Sequence, residues 1–203
     1  MTTGLLLFMA ITLGLLAFFE PCTIATHTLF SQRLHKKMIN APTLNLLLFW
    51  AIRSLLMISL LLFATILLPP VSWTRISPAI PLLVIGGVYL FSRFVYLPIP
   101  HLEFYRLVPG WKSLPNAVTL GLTLPACTIP LVIILIAAAV TFDNPSAAAV
   151  AGLLFGTAFS SITMLTAITG VGSQGAGFLS RAAKTTPYIT AVLLLSTAAY
   201  CFS

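Results

Sequence analysis

From Thr43 to Leu68 the chain reads TLNLLLFWAIRSLLMISLLLFATILL, with Arg53 as its single charge. A helix rises about 1.5 Å per residue, so a run of this length crosses the roughly 30 Å hydrocarbon layer of a bilayer. Folded in water, the same helix would show apolar side chains around its whole circumference. Such runs recur, at roughly 4–30, 43–68, 78–97, 116–141, 146–169 and 185–203. Composition points the same way. Only 6 % of residues are charged, against about 25 % in soluble domains, and the mean hydropathy is +1.09. The expectation is a single integral membrane domain over 1–203, all-α, with six transmembrane helices and the lipid bilayer as its solvent. The net charge of +7 does not signal nucleic acid, because no basic stripe with interleaved aromatics is present. The opening MTTGLLLFMAITLGLLAFF lacks a positive leader and a small-residue cleavage site, and is expected to be a retained helix.

Loop charge sets the expected orientation. The first, third and fifth loops hold Arg33, Lys36, Lys37, Arg93, Arg106, Lys112, Arg181 and Lys184. The second and fourth hold Arg75 and Asp143. Cations collect on the cytoplasmic side, so the odd loops are expected there and both termini outside.

Two short stretches share a tripeptide: EPCTIATH from Glu20 and LPACTIP from Leu124. Superposing Cys22 on Cys127 sets an offset of 105 residues, which also lays the second run on the fifth and the third on the sixth. The chain therefore reads as two three-helix repeats, about 1–100 and 101–203. An odd number of spans inverts the second repeat relative to the first. Inverted repeats place their working site near the midplane, on helices interrupted by Pro or Gly. Pro21, Pro125 and Pro130 supply the interruptions, since each removes a backbone donor and clashes with the preceding turn. The first and fourth spans are thus expected to be broken helices, buried where the freed carbonyls find partners. A cysteine just past such a break sits at a half-helix N-terminus, where the dipole and free amides favour thiolate. The thiolate is the species that attacks a disulfide.

On the residues EPCTIA and LPACTIP, and on the six-span topology, the chain resembles the CcdA/DsbD family of transmembrane thiol–disulfide reductases, as a short CcdA-like member. The resemblance implies that Cys22 and Cys127 form one reversible disulfide, with Pro21, Pro125 and Pro130 shaping the breaks. It further implies an inner-membrane carrier that takes electrons from cytoplasmic thioredoxin. The carrier then reduces an extracytoplasmic thioredoxin-like protein, often for cytochrome c biogenesis. Two positions depart from the family pattern: Ala25 stands where a proline usually follows the first cysteine, and Glu20 stands where a small or polar residue is common.

Glu20 and Arg53 are ionisable residues deep in expected spans, where charges are costly and face the bundle interior in pairs. They are expected to form an ion pair. The sharper alternative has Glu20 tuning the protonation of Cys22, two residues on, with Arg53 offsetting its negative charge. His27 is five residues past Cys22, off the cysteine face. It reads as a satisfied interior histidine, with proton relay or metal ligation as the alternatives. Cys22, His27 and Glu20 could ligate a soft metal in a small-solute or metal transporter, the second functional reading. A structural subunit is a third. Their spacing matches no closed zinc site, and no cofactor motif is visible.

His35 and His101 are expected in solvated cytoplasmic loops, and Cys201 as a packing thiol. Gly152, Gly156 and Ser160 recur every four residues, a spacing that lets helices approach closely, and the surface they form is a candidate track for the fourth span. TGVGSQGAG, with Gly170, Gly172, Gly175 and Gly177, reads as a hinge and lacks the Lys-Ser/Thr ending of a phosphate loop. Trp73, Trp111 and Tyr105 read as interface anchors.

Overall fold

A computed structural model of the chain describes residues 3–35, 41–67, 87, 102–107, 115–142, 144–170 and 173–202. In chain order the helices are α1 (Thr3–Phe18), α2 (Pro21–His35) and α3 (Pro42–Leu67), then α4 (Asn116–Gly121), α5 (Ile129–Phe142), α6 (Pro145–Thr169) and α7 (Ser173–Phe202). A two-residue strand β1 (Leu102–Glu103) pairs antiparallel with β2 (Thr123–Leu124). Proline starts much of this. Pro21, Pro42 and Pro145 open their helices, Pro115 precedes α4 and Pro130 is the second residue of α5. Its fixed φ suits a first turn, where its missing N–H has no partner to lose. Asn144 caps α6, its Oδ1 accepting from the Ser146 and Ala147 amides at 3.1 and 3.2 Å.

Two helices, α3 and α6, are long and apolar enough to cross a membrane; α1 and α2 together make a third if the pair, bent by 75°, is one span. The distribution of polarity is that of a lipid-facing protein. Along α3, Leu44, Leu55, Phe63 and Ile66 are more than 60 % exposed, while Arg53 is fully buried. Large apolar side chains outside and a charge inside is the reverse of what water selects.

α6 is the centre of the packing and lies mainly against α3 and α1. Its small residues explain how closely. A Cβ on Gly156 would come within 2.7 Å of the Ser54 Cα, and one on Gly152 within 2.8 Å of the Ile58 Cα, so backbone meets backbone. The expected small-residue surface is therefore there, but its neighbour is α3, the second expected span. Around it pack Leu6, Leu13, Phe18, Met57, Leu61, Leu135, Phe155 and Phe159.

The first expected span is broken ahead of Pro21, as expected, with Phe19 and Glu20 between its two helices, and the fourth, 116–141, is broken around Pro125 into α4, β2, a short 3-10 turn (Ala126–Thr128) and α5. Other expectations are corrected. The last span begins at Ser173 instead of near residue 185, so Gly175 and Gly177 of the expected hinge lie inside α7, as do Arg181 and Lys184. A glycine is an ordinary helix residue once the helix is held by packing, and the local hinge signal loses to it. The expected third span, 78–97, lies outside the described residues apart from Gly87. So do Lys36, Lys37, Trp73, Arg75, Arg93, His101, Trp111, Lys112 and Asp143, and the side chains of Tyr105 and Cys201.

Candidate functional site

Both cysteines begin a helix just after a break. Glu20 acts as the cap of α2: its carbonyl accepts from the Ile24 amide at 2.9 Å, Pro21 follows as the first helical residue and Cys22 as the second. In the later stretch Pro125 takes the place of Glu20. Its carbonyl accepts from the Thr128 amide at 3.0 Å, and Cys127 sits in the 3-10 turn that leads into α5. The two sulfurs are joined as a disulfide with the Cα atoms 6.8 Å apart. Each cysteine is half-buried, while the threonine after it is enclosed, Thr23 at 0 % and Thr128 at 1 % exposure. The Cys-Thr pair of the repeated tripeptide thus recurs with the same burial.

The backbone groups freed by the second break have identifiable partners. The Phe104 amide donates to the Leu122 carbonyl at 3.1 Å, and β2 is paired with β1. Arg53 Nη2 donates to the Leu120 carbonyl at 2.6 Å. That carbonyl belongs to the last turn of α4, where it also accepts from the Leu122 amide and where a cation is favoured. The guanidinium also lies 4.7 Å from the Phe159 ring centroid, within cation–π range.

Glu20 is buried and its Oε1 accepts from the Thr190 hydroxyl of α7 at 3.1 Å. The two charges that the sequence suggested as a pair are therefore held by partners of their own, Thr190 for Glu20 and Leu120 with Phe159 for Arg53. A carboxylate next to the first turn of α2 is favoured by the helix dipole, which gives Glu20 a local reason to be there.

His27 is fully buried, with Nδ1 2.8 Å from the Thr163 hydroxyl of α6. Phe18, Phe49 and Phe159 surround its ring at centroid distances of 6.0, 5.4 and 5.2 Å. Cys22, His27 and Glu20 thus address three different partners, and no group of three His, Cys, Asp or Glu side chains able to hold a metal ion occurs among the described residues. Sequence reasoning did not single out Thr23, Ser31, Ser54 or Thr163, which are buried with His27 and Arg53. The recurrence of Thr23, His27, Ser31 and His35 at every fourth position was the available signal. His35 ends α2 instead of lying in a loop, and its Nδ1 is 3.2 Å from the Ala167 carbonyl.

Compared with models of protein families, with curated proteins and with solved structures, the chain matches none of them.

Proposed function

We propose that this protein is a transmembrane thiol–disulfide oxidoreductase that passes reducing equivalents through a reversible Cys22–Cys127 disulfide. One observation carries the reading: two cysteines 105 residues apart, each at the start of a helix behind a break, meet as a disulfide while remaining half-exposed. A structural disulfide needs no helix break. A working one does, because a partner thiolate must reach a sulfur in line with the bond it displaces, and an interrupted helix in a bundle opens backbone where a cavity can form.

In this reading the six expected spans form two inverted halves with both termini outside, and the halves offer the sulfurs to each side in turn. The donor is cytoplasmic thioredoxin and the acceptor an extracytoplasmic thioredoxin-like protein, with cytochrome c biogenesis downstream. The sequence resemblance to the CcdA/DsbD family and the loop charge support these finer statements.

The test is a thiol-state assay followed by trapping. Membranes treated with a mass-shifting maleimide, with and without reductant, should show Cys22 and Cys127 interconverting between dithiol and disulfide. Cys22→Ala and Cys127→Ala should each accumulate a mixed disulfide with a partner, which mass spectrometry then names. Cysteines that stay alkylatable under oxidant, with no trapped partner, would sink the redox reading and leave the transporter one.

A further inference from the structure

The polar residues around His27 form a file. On α2, Thr23, His27, Ser31 and His35 recur at every fourth position and so share one face, each about 6 Å further along the axis than the last. Thr23, His27 and Ser31 are 0 % exposed, and His35 is exposed at the helix end. α6 faces them with Ser160 and Thr163, both buried, and with the Ala167 carbonyl beside His35. Thr163 is 2.8 Å from His27 Nδ1. Among the described residues His27 Nε2, Thr23 Oγ1 and Ser160 Oγ have no hydrogen-bond partner, while the Ser31 hydroxyl donates to the Thr28 carbonyl of its own helix at 3.0 Å. Tethering α2 to α6 needs the one His27–Thr163 bond; it does not need further open hydroxyls on both sides of it. Buried polar atoms left open cost about 1–3 kcal/mol each, so a file of them in a lipid-facing bundle calls for another explanation.

We propose that Thr23, His27, Ser31 and His35, with Thr163 opposite, form a proton relay between the exposed end of α2 and the Cys22–Cys127 disulfide. The proposal rests on the redox reading above. Reduction by a dithiol shows why a relay is needed. A donor thiolate attacks one cysteine sulfur; the Cys22–Cys127 bond breaks, a mixed disulfide forms and the other cysteine leaves as a thiolate. The donor's second thiol, once deprotonated, attacks the mixed disulfide and releases the second cysteine thiolate. The donor ends as a disulfide and loses two protons; the cysteines end as two thiols and gain two. Thiolates facing hydrocarbon are costly, so proton arrival limits the reaction. His27 can take a proton on one ring nitrogen and release one from the other, and hydroxyls can do both. Arg53 of α3 is the one charged group facing His27 among the described residues, and α1 and α6 carry none.

The experiment uses the full chain in lipid nanodiscs, with dithiothreitol as the reductant and maleimide gel shift as the readout. His27→Gln should slow reduction by roughly a hundredfold, the low end for a positioned acid–base group. It should also enlarge the solvent deuterium isotope effect, because proton arrival then limits the rate further, with the dithiothreitol equilibrium unchanged. Ser31→Ala and Thr163→Val, which keep the helices intact if His27→Gln does not fold, should each slow reduction by about tenfold. Wild-type rates in all three variants would overturn the relay, as would a slowing matched by an equal shift in the equilibrium. A wild-type disulfide that dithiothreitol never opens would overturn the redox reading, and the relay with it.

Discussion

The two breaks that carry the cysteines do one job in different ways. At the first, α1 and α2 meet at a bend of 75° with only Phe19 and Glu20 between them, and a buried carboxylate stands beside the new helix, held by Thr190. At the second, the chain opens into β2 and a 3-10 turn, pairs with β1, and has the end of α4 capped by Arg53. The first is a corner held by a side chain from α7. The second is a short excursion held by a strand and by a cation from α3. A helix that ends ahead of a cysteine leaves carbonyls in need of donors: at the second break Leu120 meets Arg53 and Leu122 meets the Phe104 amide, and at the first the Leu16 carbonyl accepts from the Phe19 amide.

That contrast can be broken experimentally, beginning where the effect is largest. Cys22→Ser and Cys127→Ser should each abolish the oxidant-dependent maleimide shift. If the breaks are inequivalent, the two variants trap different partners; identical trapped species from both would remove the asymmetry. Gly156→Leu should come next, because its side chain drives into the Ser54 backbone; overpacking of this kind costs about 1–3 kcal/mol, read as a loss of thermal stability in detergent. Arg53→Met removes the charged hydrogen bond to the Leu120 carbonyl, at about 1.5–3 kcal/mol. It should raise proteolytic or deuterium-exchange access around 120–127 while leaving 18–24 unchanged, and equal changes at both breaks would show that Arg53 does not belong to the second alone. Glu20→Gln keeps the bond to Thr190 and removes a charge worth about 0.3–1 kcal/mol at a helix N-terminus. The alkylation rate of reduced Cys22 should rise by a few-fold, with Cys127 unaffected. The smallest effect expected is Thr128→Val. It removes a 2.8 Å bond to the Pro125 carbonyl that contributes about 0.5–1.5 kcal/mol, and stability measured by chemical unfolding should fall by that much.

Much of this was legible in the sequence, for physical reasons that can be named. α3 and α6 lie within a residue of their expected limits because a long apolar run that opens on a proline has no competing way to satisfy its backbone in lipid. The pairing of Cys22 with Cys127 was implied by the family resemblance that the repeated tripeptide carries, and the breaks were readable because proline marks them. The strand pair was not readable: two residues carry no periodicity, and Thr123–Leu124 pairs with Leu102–Glu103 only once both are placed. The early start of α7 was hidden by glycines that look like a turn until packing decides otherwise. Arg53 and Glu20 were recognisable as interior charges, but their partners were not, since Leu120 and Thr190 are far away in the chain and one of the two is met only through its backbone carbonyl.

The glycine contacts of α6 have a mechanical corollary. Where two rods touch along their spines at Gly152 and Gly156, neither can slide or roll without steric collision, so α3 and α6 behave as a welded beam. If the proposed carrier offers its sulfurs to each side in turn, the movement belongs to the shorter segments hung on that beam, α2 and the stretch from β2 to α5.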